Sequence, residues 1–186
     1  MPRGLIGDRS DMVNPDSMAS LLHIAVGAAA GRLHAGRPSL RWALAFAGLS
    51  MLPDADVLAF SLGIPYDHPF GHRGASHSLA FAALCGGVAL ALARGRVRTA
   101  ALVALTVASH PLLDALTSGG LGVALWWPAS PERVFAPWRP IPVAPLGLDF
   151  LSPRGLQVMV AEALPSLPLF AIGLWPARAP REGRTT

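Results

Sequence analysis

Eight ionisable side chains stand where the chain is otherwise apolar. His23, Asp54, Asp56, His110 and Asp114 interrupt runs of Ala, Leu, Val and Gly, and His72, Arg73 and His77 lie at the mouth of another such run. Groups of this kind are costly in a nonpolar setting and by default mark a functional site. Imidazole nitrogens with carboxylate oxygens and no thiolate form a donor set for Zn2+ first, and for Mn2+ or Fe2+ after it. An ion held there acidifies its water, so the chemistry expected is metal-assisted hydrolysis of an ester or phosphoester. His23, Asp54, His72, His77, His110 and Asp114 are the candidate ligands. Asp56 is a further ligand or the general base. Arg73, a permanent forked cation, is the candidate clamp for a phosphate or an oxyanion. So many donors exceed the three of a single catalytic zinc, which predicts two ions, or one ion with an outer layer.

The spacing bears on whether these groups can meet. Asp54 lies thirteen residues beyond Arg41, His110 twelve beyond Arg98, His77 seventeen before Arg94 and His23 eleven before His34. At about 1.5 Å per helical residue, all four reach a layer roughly 15–25 Å from the arginine-marked boundary. His110 and Asp114, four residues apart, share one helical face. Asp54 and Asp56, two apart, would diverge on a regular helix, but a break at Pro53 lets both turn inward. Blander roles compete with each motif. The Asp54 and Asp56 pair suits a helix cap beside a proline, and His110 with Asp114 suits a buried hydrogen bond. Ser76 is a candidate N-cap for the helix that follows. His34 and His68 have no partner by spacing and are expected at the surface. Glu162 interrupts the last apolar stretch as a possible additional ligand.

The elements that must carry these residues are apolar. Of 186 residues, 52% are hydrophobic and only 14% charged, against about 25% charged in soluble domains. Mean hydropathy is +0.45. Disorder is excluded by that content. Every one of the fifteen basic residues is Arg, so Schiff-base lysine chemistry and a Walker phosphate loop are excluded. One cysteine, Cys85, cannot form an intramolecular disulfide. Five apolar stretches recur, Leu21–Gly31, Trp42–Gly63, Ser78–Ala93, Thr99–Leu116 and Leu156–Trp175. They predict an all-α, polytopic membrane bundle of four to five membrane-embedded helices. Residues 1–16 form a polar tail, 17–176 the membrane-embedded domain and 177–186 a basic tail. Within the domain, 117–155 is a Pro-rich loop whose Trp126, Trp127 and Trp138 suit an interfacial belt or lid. Arginines cluster at 32, 37 and 41, at 94, 96 and 98, and at 178, 181 and 184. The positive-inside rule places these clusters in the cytoplasm and the His/Asp layer towards the other face. Because they punctuate helices rather than forming a face, nucleic acid is not an expected partner. Membrane lipid and a small-molecule or lipid substrate are; the oligomeric state is open.

Leu52-Pro53-Asp54-Ala55-Asp56, His72-Arg73-Gly74-x-x-His77-Ser78 and Ser109-His110-x-x-x-Asp114-Ala115-x-Thr117 occur in this order. The combination resembles the LexA-regulated, membrane-bound metal-dependent hydrolases, also called the YdjM family. His23, Gly119 and Trp127-Pro128 match its remaining pattern, and the likeness covers roughly residues 20 to 145. The resemblance implies an integral membrane hydrolase with the matched His and Asp as ligands. Through His110-x-x-x-Asp114 the family is similar to the all-helical zinc-dependent phospholipase C and single-strand nuclease superfamily. This chain has no His after residue 110, so one or two ions are expected instead of a three-zinc centre. The alternative is a metal-binding or transport protein without turnover. That alternative calls for polar residues continuing to the inner side, where Ala, Leu and Val prevail.

Overall fold

In a computed structural model, residues 21–142 and 151–174 are described. The polar tail, the stretch 143–150 and the basic tail lie outside them. Among the described residues the protein is all-helical, with two isolated β-bridges and no strand. All five apolar stretches contain helix. The first is α1 (Leu21–Ala35), the third α4 (Leu79–Leu92), the fourth α5 (Val97–Ala115) and the last α6 (Pro153–Leu174).

The second stretch is broken. α2 (Leu40–Ser50) ends just before Pro53, a 3-10 turn covers Leu52–Val57, and α3 (Leu58–Ser61) leaves at 50° to α2. Pro53 sits at the start of that tighter turn, where its missing N–H costs nothing and its fixed φ fits. The turn swings Asp54 and Asp56 off the ordinary helical register. A second 3-10 turn, Ala75–His77, leads into α4. The N-cap of α4 is Ser78 and not Ser76: Ser78 Oγ accepts from Phe81 N at 3.0 Å and donates to the Ala75 carbonyl at 2.7 Å. Ser76 is thereby released for another role.

α1 packs between α2 and α6, and α4 packs on α5, which also touches α1 and α2. Phe46, Val103, Val107, Ala30 and Ala82 fill the shared core. The approach of α1 to α2 depends on Gly27 and Gly31, one helical turn apart. A Cβ at Gly27 would lie 2.4 Å from Ala47 Cα, and one at Gly31 2.4 Å from the Trp42 carbonyl oxygen. Small residues at this spacing let helix backbones touch where lipid offers no hydrophobic drive. The outer faces carry large apolar side chains such as Leu62, Leu84 and Leu92, the last 80% exposed. Among the described residues one helix, α6, is long and apolar enough to cross a membrane, or two spans if bent α2–α3 counts as one.

Glu162 on α6 ties the last helix to the first. Its Oε2 accepts from Leu21 N at 2.8 Å and Leu22 N at 3.4 Å, meeting free amides at the start of α1. The possible extra ligand is therefore placed at a helix terminus. His34 is half-buried against Trp42, with ring centroids 4.2 Å apart, where a surface position was expected. His68 is in an exposed turn, its Nδ1 accepting from Phe70 N.

Because the Gly31 contact is with backbone, which cannot rotate away, Gly31→Val should destabilise the fold by about 1–3 kcal/mol. A lowered Tm in detergent checks this; an unchanged Tm would mean that α1 and α2 do not pack this closely.

Candidate metal centre

Four donor atoms from three segments meet in the interior. They are Asp54 Oδ1 from the turn after α2, His77 Nε2 from the turn before α4, and His110 Nε2 and Asp114 Oδ2 from α5. His110 Nε2 lies 3.1 Å from His77 Nε2, 3.2 Å from Asp54 Oδ1 and 3.6 Å from Asp114 Oδ2. His77 Nε2 lies 3.3 Å from Asp114 Oδ2 and 3.5 Å from Asp54 Oδ1. Ligand atoms held tetrahedrally at about 2.0–2.1 Å from one ion are ~3.3 Å apart, so the five separations suit a zinc-sized cation. All four side chains are nearly inaccessible, the most exposed being Asp54 at 6%.

Hydrogen bonds behind the donors set their protonation. His110 Nδ1 lies 2.7 Å from the Ser50 carbonyl, which can only accept, so Nδ1 carries the proton and Nε2 presents a lone pair. His77 Nδ1 faces Asp56 Oδ2 at 3.0 Å, the carboxylate–histidine arrangement that orients a metal ligand. Asp54 Oδ2 is buried without a hydrogen-bond partner, a position a bound cation would relieve. The residues fit a divalent ion.

Asp56 is the hub of a second layer. Its Oδ1 accepts from His72 Nδ1 at 2.7 Å, and its Oδ2 from Arg73 N at 3.1 Å, from His77 Nδ1 and from Ser76 Oγ. Asp56, His72 and His77 form a second group of potential ligands that shares His77 with the first. His72 Nε2 is buried and without a partner. His23 lies alongside: its ring is tilted against that of His110 with centroids 4.1 Å apart, and its Nε2 is 3.3 Å from the His110 carbonyl and 3.7 Å from Asp114 Oδ1.

Arg73 is 1% exposed, its side chain held against α5 and the segment that follows it. Nε lies 3.2 Å from Asp114 Oδ2, and Nη1 donates to Thr117 Oγ1 at 3.1 Å and to the Gly119 carbonyl at 3.0 Å. Its backbone has φ +59°, a left-handed conformation unusual for a residue with a side chain. Two bonds hold it there, Arg73 N to Asp56 and Ala124 N to the Arg73 carbonyl. Gly120, at φ +82°, leaves room for the guanidinium, since a Cβ there would stand 3.0 Å from Nη1.

Residue spacing points to the layer but not to its support. Ser50, Ser76, Thr117 and Gly119 were missed as partners of the site. Only the Thr117 and Gly119 positions carried a signal, since both fall in the quoted family pattern.

The protein is thus helical and built around a buried His/Asp cluster, and the proteins it is similar to are membrane proteins. Residues 18–178 match the model of the YdjM inner membrane protein family, and the chain belongs to that family. It is 43% identical over 147 residues to the inner membrane protein YbcI of Escherichia coli (strain K12), covering 73% of this chain and 85% of that protein. No solved structure matches the chain.

His110→Ala and Asp114→Ala each remove a donor from the central four, so metal bound to purified protein should fall from about one equivalent towards zero; unchanged stoichiometry in both would remove the metal centre. Burial alone would lower the His77 pKa, but hydrogen bonds with Asp114, Asp54 and Asp56 outweigh it and hold the imidazole well above its usual value. At neutral pH the metal-free ring therefore carries a proton that an ion must displace. Zn2+ affinity should rise as pH rises, about tenfold per unit while one proton is expelled. Calorimetry in buffers of different ionisation enthalpy reads that proton directly, and its absence would exclude the exchange.

Proposed function

We propose that the protein is a membrane-embedded, metal-dependent hydrolase of an ester or phosphoester, with one divalent ion held by Asp54, His77, His110 and Asp114. Zn2+ is the first candidate, Mn2+ or Fe2+ the next. The four buried donors, close enough to share one divalent ion, together with the open cleft that reaches Asp56 behind His77, carry the reading. Charge supports a single ion: three carboxylates against Arg73 leave two negative charges when the imidazoles are neutral. A divalent ion bound there supplies a Lewis acid and water that ionises near neutral pH.

The chain's own groups supply the rest. Asp56 orients His77 through Nδ1 and also lines a cleft of about 530 Å³, where its carboxylate can take a proton from an incoming water or hydroxyl. Arg73 holds Asp114 in register and offsets its charge, acting as a positioning group. His23 braces Asp114 from its other oxygen, and His72 holds Asp56. The five apolar segments are embedded in the bilayer, with α1 sheltered between α2 and α6. The arginines flanking α1, α2, α4 and α5 mark the cytoplasmic side and set the metal centre towards the opposite face.

A second reading has its own support. Four protein donors fill a tetrahedral shell, and their side chains are 0 to 6% exposed, as in structural zinc sites. A closed, non-catalytic metal centre then stabilises the bundle, or serves ion transport, without turnover. Protein reconstituted in lipid with one equivalent of Zn2+, offered a panel of carboxylic and phosphoric esters, separates the two. Hydrolysis should be lost on chelation, return with Zn2+, and fall about 10–100-fold in Asp56→Asn. Full metal occupancy, chelator-sensitive stability and no turnover on any ester would establish the closed centre, and flux of the ion into liposomes would establish transport.

A further inference from the structure

The cleft beside the metal centre is apolar along all but one end. Phe70, Ala75, Ala80, Phe81, Leu84, Trp127 and Pro128 form its walls, and Asp56 with Ser76 its polar floor. Its volume of about 530 Å³ lies in the range of small-molecule sites, ~300–1,000 Å³. The Phe70 and Trp127 rings meet edge to face at 5.7 Å across the rim. The Leu79 N to Leu125 carbonyl bond, 3.0 Å, fastens the loop bearing Trp127 to the start of α4.

Two observations identify an occupant. First, the cleft runs out onto α4: Ala80 and Leu84 line it, and Val88 and Leu92 continue the same row at four-residue spacing, 50% and 80% exposed. In a membrane protein that row meets lipid tails, so the cleft opens towards hydrocarbon. Second, the floor contains no cation. Asp56 is the one ionisable lining residue, and Ser76 donates its proton to that carboxylate, leaving its oxygen free only to accept. An anionic head would meet a carboxylate there; a hydroxyl would find an acceptor.

We propose that this cleft binds the acyl chain of an uncharged, hydroxyl-bearing amphiphile, drawn in from the bilayer with its head at Ser76 and Asp56. The assignment names a substrate class for the hydrolase reading and rests on that reading for its chemistry. From the floor, Ser76 Oγ reaches His77 Nδ1 at 3.1 Å, and the other nitrogen of that ring belongs to the central four donors.

Binding can be read without turnover. A monoacylglycerol with a dibrominated chain, titrated into protein in detergent, should quench Trp127 saturably, and Trp127→Phe should remove that component. Ala80→Phe, which fills the cleft from α4, should weaken the effect at least tenfold with metal content unchanged. If Ala80→Phe fails to fold, Leu84→Phe fills the same wall and is read in the same way. Equal quenching in wild type and the filled variant, or quenching that never saturates, would show ordinary annular lipid and overturn the proposal. The matching dibrominated fatty acid, an anion at neutral pH, should bind more weakly; equal binding would overturn the assignment of the head. Saturable binding with no hydrolysis of the monoacylglycerol or of any ester in the panel leaves the cleft standing and removes the hydrolase. Hydrolysis of a water-soluble ester undiminished by Ala80→Phe, with no saturable binding, does the reverse.

Discussion

Buried negative charge is the constraint from which the rest of this structure follows. Asp54 and Asp114 are buried and Asp56 half-buried in an interior built largely of Ala, Val, Leu and Gly, where an uncompensated carboxylate costs several kcal/mol. Arg73 answers Asp114, and the imidazoles of His72, His77 and His110 crowd Asp54 and Asp56. The remaining imbalance calls for a cation. In its absence a proton on His77 partly fills that role, which makes the cluster a place where proton and metal compete for the same lone pair.

Local backbone irregularities exist to satisfy this constraint. Regular helices would have sent Asp54 and Asp56 in different directions, and the 3-10 turn at Pro53 brings one into the inner group and the other behind His77. A second turn at Ala75–His77 delivers Ser76 to Asp56 and His77 to the inner donors while α4 starts from Ser78. Arg73 holds a left-handed conformation between them. Irregular backbone inside a membrane protein is tolerated where protein surrounds it, and here the polar groups it exposes are bonded to the site.

Much of this is legible in the sequence, for physical reasons that can be named. Ionisable residues in apolar runs stand out because their cost must be met by something, and the distance of each from an arginine-marked boundary is simple helical arithmetic. Pro53 announces the break. The helical character of the five stretches follows from their composition, whereas the number that cross a bilayer does not: α1 and α4 are short for a span, and α2 is bent. The outer layer is illegible for a different reason. Carbonyls such as those of Ser50 and Gly119 leave no trace in residue type. Ser76 and Ser78 are equally good caps on paper, and only the register of the preceding turn decides between them. Glu162 looked like a possible ligand because sequence shows that a carboxylate is present without showing which helix end lies opposite it.

That last contact gives the molecule an order of assembly. The carboxylate that meets the first amides of α1 is provided by residue 162, 141 positions beyond Leu21. While the chain is being synthesised, α1 has no such partner until α6 has been made. Closure of the bundle on α1 therefore waits for α6, which acts as the clasp.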